Sequence, residues 1–151
     1  MSYPEVELQH ICVKDGMVDG PFGSNLPASD YTSWGIPVIR GVNLSLGEYQ
    51  FSESDYVFVA EHTADRLKRS NCRADDIIFT KKGTLGQVGI VPKFSEHKRF
   101  LLSSNQMRAR LDTKIADPLY VFYFVSSPYG RRRVQLDAMT SGVPKINLTY
   151  L

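Results

Sequence analysis

The chain has 151 residues, 42% hydrophobic and 23% charged, with a formal net charge of +2. That length holds one domain with a real hydrophobic core, expected over residues 1–151, and the composition excludes a disordered or fibrous chain. The longest apolar run, residues 119–125, is far short of the ~20 residues a membrane helix needs, and the opening Met-Ser-Tyr-Pro-Glu-Val reads as no signal peptide, so a cytoplasmic protein with no membrane partner is expected.

Residues 15–27 (DGMVDGPFGSNLP) hold three Gly and two Pro and read as an ordered loop. Residues 36–40 read as a short strand, with Pro37 favouring a sheet edge or the strand's start, and residues 56–59 as a second. Residues 61–69 read as a short helix with basic residues in its last turn. Residues 76–80 and 87–91 are two apolar runs around a glycine-rich turn, a hairpin closed by Pro92. In residues 106–111 apolar or small residues alternate with basic ones, so Arg108 and Arg110 share one sheet face. Asp117-Pro118 is a helix cap with proline in first position, opening a helix to Ser127. Pro128 starts another through Arg131-Arg132-Arg133, stopped near Gly142-Val143-Pro144. Strands come first and helices late: an α+β (mixed α/β) domain with a strand-rich core and helices mainly in the C-terminal third.

The modest net charge conceals an asymmetry. Residues 1–65 carry two basic side chains against ten acidic ones, a balance of −8, whereas residues 66–151 carry sixteen against six, a balance of +10. Either the halves pair across the fold and cancel, or the second half supplies a basic face suited to a polyanion.

Lys81-Lys82-Gly83-Thr84-Leu85-Gly86 fits both a solvated hairpin turn and a phosphate or base-edge contact built from lysines, a hydroxyl and exposed amides. It lacks the residue order of a P-loop, and its Gly-Thr-Leu-Gly joins strands rather than the helices of a KH domain. Ser103-Ser104-Asn105-Gln106, leading into Arg108 and Arg110, is either a self-satisfied polar turn or a set of base readers, since Asn and Gln pair with adenine and Arg with guanine. The three arginines 131–133 fan around a helix and read as a solvated face that touches phosphates at most.

Catalysis finds little support. Asp117-Pro118-Leu119-Tyr120 is one letter from the target-base motif of adenine methyltransferases, but no glycine-rich S-adenosylmethionine loop accompanies it, and a helix start explains it. Hydrolase elbows, thiol-protease contexts and zinc motifs are absent from the sequence. The two cysteines, Cys12 and Cys72, suit free thiols, and with three scattered histidines they make no metal site. A non-enzymatic binder without metal or cofactor is expected.

Several stretches together resemble the target recognition domain of type I restriction–modification specificity (S) subunits. They are Asp19-Gly20-Pro21-Phe22-Gly23-Ser24-Asn25-Leu26, Asp30-Tyr31, the run from Gly35 through Arg40 to Leu44, the run from Asp76 to Gly89, Ser104-Asn105-Gln106, and the closing Ser141-Gly142-Val143-Pro144-Lys145-Ile146-Asn147. The resemblance covers nearly the whole chain with the motifs in one order. It implies a mixed α/β domain without catalysis that reads one half of an interrupted double-stranded DNA site. The implied partners are the methyltransferase (M) and restriction (R) subunits and a second recognition domain. The long spacer helix of such subunits is expected after Leu151, so the chain resembles half a subunit. The DNA-facing residues it implies are Ser24, Asn25, Arg40, Asn43, Lys81, Lys82, Thr84, Ser104, Asn105 and Gln106, with Gly20, Gly23, Gly41 and Gly89 serving backbone geometry, and the chain's own chemistry adds Arg108 and Arg110 as candidates. Among these, Lys82, Gln106, Arg108 and Arg110 have the chemistry to read bases. The alternative is a protein-interaction module that binds methyltransferase subunits without reading DNA.

Overall fold

A computed structural model describes residues 5–140 and 145–147. Its strands are β1 (Glu5–Glu7), β2 (Cys12–Asp19), β3 (Tyr31–Thr32), β4 (Ile36–Ile39), β5 (Val57–Val59), β6 (Asn71–Cys72), β7 (Ile77–Thr80), β8 (Val88–Ile90), β9 (Phe100–Leu102), β10 (Gln106–Leu111) and β11 (Lys145–Asn147). Its helices are α1 (Glu61–Arg66), α2 (Pro118–Ser126) and α3 (Pro128–Thr140). This is the expected mixed α/β class, with the longer helices late in the chain.

The strands form a four-stranded sheet in the order β2-β10-β7-β8, a five-stranded sheet in the order β3-β5-β4-β9-β6, and a small pair β1-β11. Alternate side chains sort into layers, as pleating requires. Ile77, Phe79, Val88 and Ala109 join Val121, Phe122 and Val125 of α2 in one cluster. Ile78, one residue out of phase, packs with Ile39, Phe100 and Leu102 of the five-stranded sheet. Val38, Val59 and Leu101 on that sheet's outer face pack on Ala64 of α1 and on Leu26. The order is therefore α2 and α3, four-stranded sheet, five-stranded sheet, α1. Each fully buried aliphatic or aromatic side chain contributes about 1.5–3 kcal/mol.

β10 is the hinge of this arrangement. Its odd positions Met107 and Ala109 go to the helix side, while Arg108 lies opposite Ile78 and so points between the sheets. Arg108 is 6% exposed and donates to Asn71 O at 2.8 Å, across to the five-stranded sheet. Arg110 grips Asp76 with Nε and NH2, both at 2.8 Å. Asp76 is 1% exposed and also accepts from Arg73 N. This bond to Asp76 holds Arg110 above the ordinary guanidinium value, whereas burial, and then Arg110 itself, pulls Arg108 below it.

Three expectations change. Residues 15–27 were expected as loop throughout, but β2 runs to Asp19. The Asp-Gly pair that reads as a turn serves an irregularity instead: Asp15 takes φ 58°, and the β2–β10 register shifts between Ala109 and Leu111. The helix expected over 61–69 ends at Arg66, and a 3-10 turn, Lys68–Ser70, follows. The short strands β1, β3, β6, β9 and β11 were not foreseen. Elsewhere the reading holds: β7 and β8 form the expected antiparallel hairpin. Asp117 caps α2, its Oδ1 accepting from Leu119 N at 2.9 Å, which accounts for the methyltransferase-like tetrapeptide. The helix stop expected at residues 142–144 lies outside the described residues, as does most of the closing motif.

Two outcomes follow. Asp76→Ala strands the Arg110 guanidinium and the Arg73 amide and is expected to cost about 3–5 kcal/mol, read as a lower urea midpoint. Burial pushes the Cys12 thiol up to about 12 and the buried Cys72 thiol well above its ordinary value. Neither thiol is expected to react with Ellman's reagent at about pH 8 until the protein unfolds; fast labelling of the folded protein would contradict this burial.

Candidate nucleic-acid interface

β2 and β7 both run antiparallel to β10, so their C-terminal ends lie at one end of the four-stranded sheet. β4 and β9 run parallel in the other sheet, and the chain crosses from β9 to β10 through residues 103–105. The crossing is knitted to its neighbours: Ser103 N donates to Ile39 O, while Lys81 N and Lys82 N both donate to Asn105 O. The segments that follow β4, β7 and β9 are thereby brought side by side. Such loops on a rigid frame are the usual seat of binding.

Between them lies an open groove of about 450 Å³. Arg40, Lys82, Thr84, Ser104, Asn105 and Tyr31 line it, and no acidic residue does. Lys82, Thr84 and Asn105 are exposed. Arg40 is half-buried and spends one guanidinium nitrogen on Asp55 O at 2.6 Å. Gly83 and Gly86 take φ of +103° and +94°, where a Cβ would be strained, so the hairpin tip owes its shape to them.

The floor of the groove is a buried chain of amides and hydroxyls. Gln106, 2% exposed, accepts a hydrogen bond from Ser103 Oγ and donates to Thr80 Oγ1 at 3.3 Å. Thr80 donates to Gln87 Oε1 at 3.0 Å, and Gln87 Nε2 donates to Gly41 O at 3.2 Å. Gly20 N donates to Gln106 O at 2.8 Å, and a Cβ on Gly20 would run into the Ser103 carbonyl. Gly20, Gly41 and Gly89 all lie close to other atoms, whereas Gly23 has open space where its Cβ would be, so nothing in the packing demands glycine there.

The twelve residues singled out from the sequence thus divide. Arg40, Lys82, Thr84, Ser104, Asn105 and Gln106 come together at one groove. Asn25 and Lys81 line a second groove beside it, and Ser24 is exposed next to Asn25. Asn43 does not face either groove. It is fully buried, accepts from Arg40 N and donates to the carbonyls of Ser52 and Ser54, so it shapes the turn after β4. Arg108 and Arg110 lie between the sheets and are bonded there, in the frame rather than on its surface. The pattern that made them look exposed is the same that inserts them between two sheets, because alternation reports two unlike faces and not which one meets water. Gln87 and Thr80 were missed as floor residues; their places at either end of the hairpin loop were the available signal.

Part of the charge asymmetry is paired across the fold. Arg66–Asp30, Lys81–Asp19, Arg99–Asp65 and Arg133–Glu5 each join a base of the second half to an acid of the first. Arg131 donates to Ser126 O and Arg133 pairs with Glu5, leaving Arg132 as the exposed member of that run. Among the described residues no group of three His, Cys, Asp or Glu could hold a metal, and no helix is long and apolar enough to cross a membrane.

No protein-family model matches the sequence, and no curated protein matches it. Solved structures do. The HsdS subunit from Thermoanaerobacter tengcongensis aligns over 96% of this chain with a TM-score of 0.61 and 11% identity. A chain from a structure describing complex assembly and conformational transition of the type I R-M system aligns over 97%, with a TM-score of 0.59 and 10% identity. This chain spans about a third of either one's length, 32% and 31%. Its fold is that of the matching part of these proteins.

Gln106→Leu keeps the side chain's bulk but removes both amide contacts, leaving the Ser103 hydroxyl without its acceptor and Thr80 without the donor from Gln106. It is expected to cost about 1–3 kcal/mol in chemical denaturation, and an unchanged stability would show that the floor network contributes little.

Proposed function

We propose that the chain is a target recognition domain of a type I specificity subunit, a non-catalytic module that reads one half of a bipartite site in double-stranded DNA. The observation that carries this reading is the groove after β4, β7 and β9, where Lys82, Thr84, Ser104, Asn105 and Arg40 converge and no acidic residue lines the wall. The shared fold with the HsdS subunit supports it independently.

The chemistry follows from which side chains reach out. Asn105 is exposed and offers one acceptor and two donors, the pattern that pairs with adenine in the major groove. Lys82 supplies a cation for guanine or a phosphate, and Thr84 and Ser104 supply hydroxyls that serve either base edges or the backbone. Gln106, Thr80 and Gln87 lie beneath them and set the height of the turn that carries Asn105. Ser24, Asn25 and Lys81 extend the same DNA-facing side. Arg108, Arg110 and Asn43 act through the frame, holding the loops where they are. In this reading the partners are duplex DNA, the methyltransferase and restriction subunits, and a second recognition domain. Modification and cutting belong to those other subunits, and the protein works in the cytoplasm.

Selection of random duplex DNA on the purified chain at low salt tests the reading. A short enriched motif is expected. Asn105→Ala is expected to relax one position of that motif at a cost of about 1–3 kcal/mol, and Lys82→Ala to lower the steepness of log Kd against log salt by about 1. Equal loss on every sequence for Asn105→Ala would make Asn105 a phosphate contact. Retention of no duplex at all would overturn the proposal.

A further inference from the structure

The second groove, about 700 Å³, opens beside the first at the same end of the molecule. It is lined by four cations, Arg66, Lys68, Arg69 and Lys81, against one acid, Asp19. From the sequence, Arg66, Lys68 and Arg69 fall in the last turn of a short helix, where basic charge suits the C-terminus. The side chains do not all serve that end. Arg66 is taken up by Asp30 at 3.5 Å and by Asn25 O at 3.0 Å, and Lys81 by Asp19 at 3.4 Å. Lys68 and Arg69 are exposed, and neither has an acidic partner among the ion pairs of the described residues.

The turn that carries them is held firmly. Ser70, buried, donates its hydroxyl to Asp19 O at 3.1 Å. Asp19 closes β2, and the next residue, Gly20, bonds Gln106 on the floor of the first groove. Lys81 and Lys82, adjacent in sequence, each line one of the two grooves. The basic turn is therefore tied to the groove that holds Asn105 through the Ser70 hydroxyl on Asp19 O and the Gly20 amide on Gln106 O.

We propose that Lys68 and Arg69 form a phosphate clamp on the duplex read by the first groove. The clamp takes DNA backbone and no base, so it adds affinity and fixes the register without adding sequence preference. It rests on the reading of the first groove as a DNA reader, but it makes a separate demand. Two unpaired cations on a pinned turn should neutralise phosphates wherever the duplex lies, whatever bases Asn105 meets. An Arg offers a planar fork that suits a phosphate bidentately, and a Lys a point charge.

The test compares the full chain with a Lys68→Glu/Arg69→Glu variant and with a charge-matched variant, Lys114→Glu/Arg132→Glu, at exposed cations outside both grooves. Each Kd is measured on the selected duplex and on an unrelated one over a range of salt. Urea midpoints are compared so that a folding defect is separated from a binding one. The clamp variant is expected to lose about 2 from the slope of log Kd against log salt, since each phosphate contributes about 0.9. The selected motif is expected to stay the same, and the charge-matched variant to keep its slope within half of that loss. Equal slopes for the clamp variant and the unaltered chain overturn the clamp alone, as does an equal loss in the charge-matched variant. Absence of an enriched motif, with a slope that still falls only in the clamp variant, supports the clamp and overturns base reading in the first groove. Absence of all duplex binding overturns both.

Discussion

Polar side chains set among the apolar ones between two sheets must be satisfied internally, because water is excluded from there. Here that row is Gln106, Arg108 and Arg110 of β10, and its anchor is the buried Asp76 carboxylate held by Arg110 through two bonds of 2.8 Å. A buried ion pair is weak support for stability in itself, since desolvation offsets much of its attraction. Its effect is to fix a register. With Arg110 on Asp76 and Arg108 on Asn71 O, β10 cannot slide by a residue without turning its charged row into the α2 cluster and orphaning it there. The residue at the far end of the same row, Gln106, is then placed under the turn that crosses between the sheets.

That placement connects stability to binding. The row starts as structural ion pairing at Arg110 and ends as the floor of a groove at Gln106. Gln106, Thr80 and Gln87 form a relay of hydrogen bonds that reaches Gly41. The loops above it differ in origin, one following β4, one inside the β7–β8 hairpin and one crossing from β9 to β10, yet they share this floor. A binding surface assembled from loops can change its exposed side chains while the relay beneath stays in place. On the proposed DNA-reading function, the exposed positions Lys82, Thr84 and Asn105 are of that kind.

Much of the fold was legible because the strongest strands and both long helices carry local signals: alternating or continuous apolar runs, a capping Asp-Pro, and glycines in the hairpin. The short strands were not, since Tyr31–Thr32 and Asn71–Cys72 are two residues each and owe their extended form to neighbours distant in sequence. β2 was hidden by Asp15-Gly16, turn residues spent on a bulge. At the candidate site, the motifs named loops that the fold brings together around one groove, but the sequence could not say which environment each face of β10 meets. Arg108 and Arg110 looked like the best base readers, and their guanidinium groups are used inside the domain. Lys68 and Arg69 looked like helix-end charges, and only the pinning of Ser70 to Asp19 brings them beside the groove.

The central claim is that one end of this molecule, the end with both grooves, is the surface that meets duplex DNA. Amide chemical-shift mapping during titration with a selected duplex tests it most directly. The account predicts that the shifts concentrate at residues 40–42, 81–86 and 103–105, with a second set at 66–70. Shifts confined to α2 and α3, on the opposite layer of the fold, would contradict it.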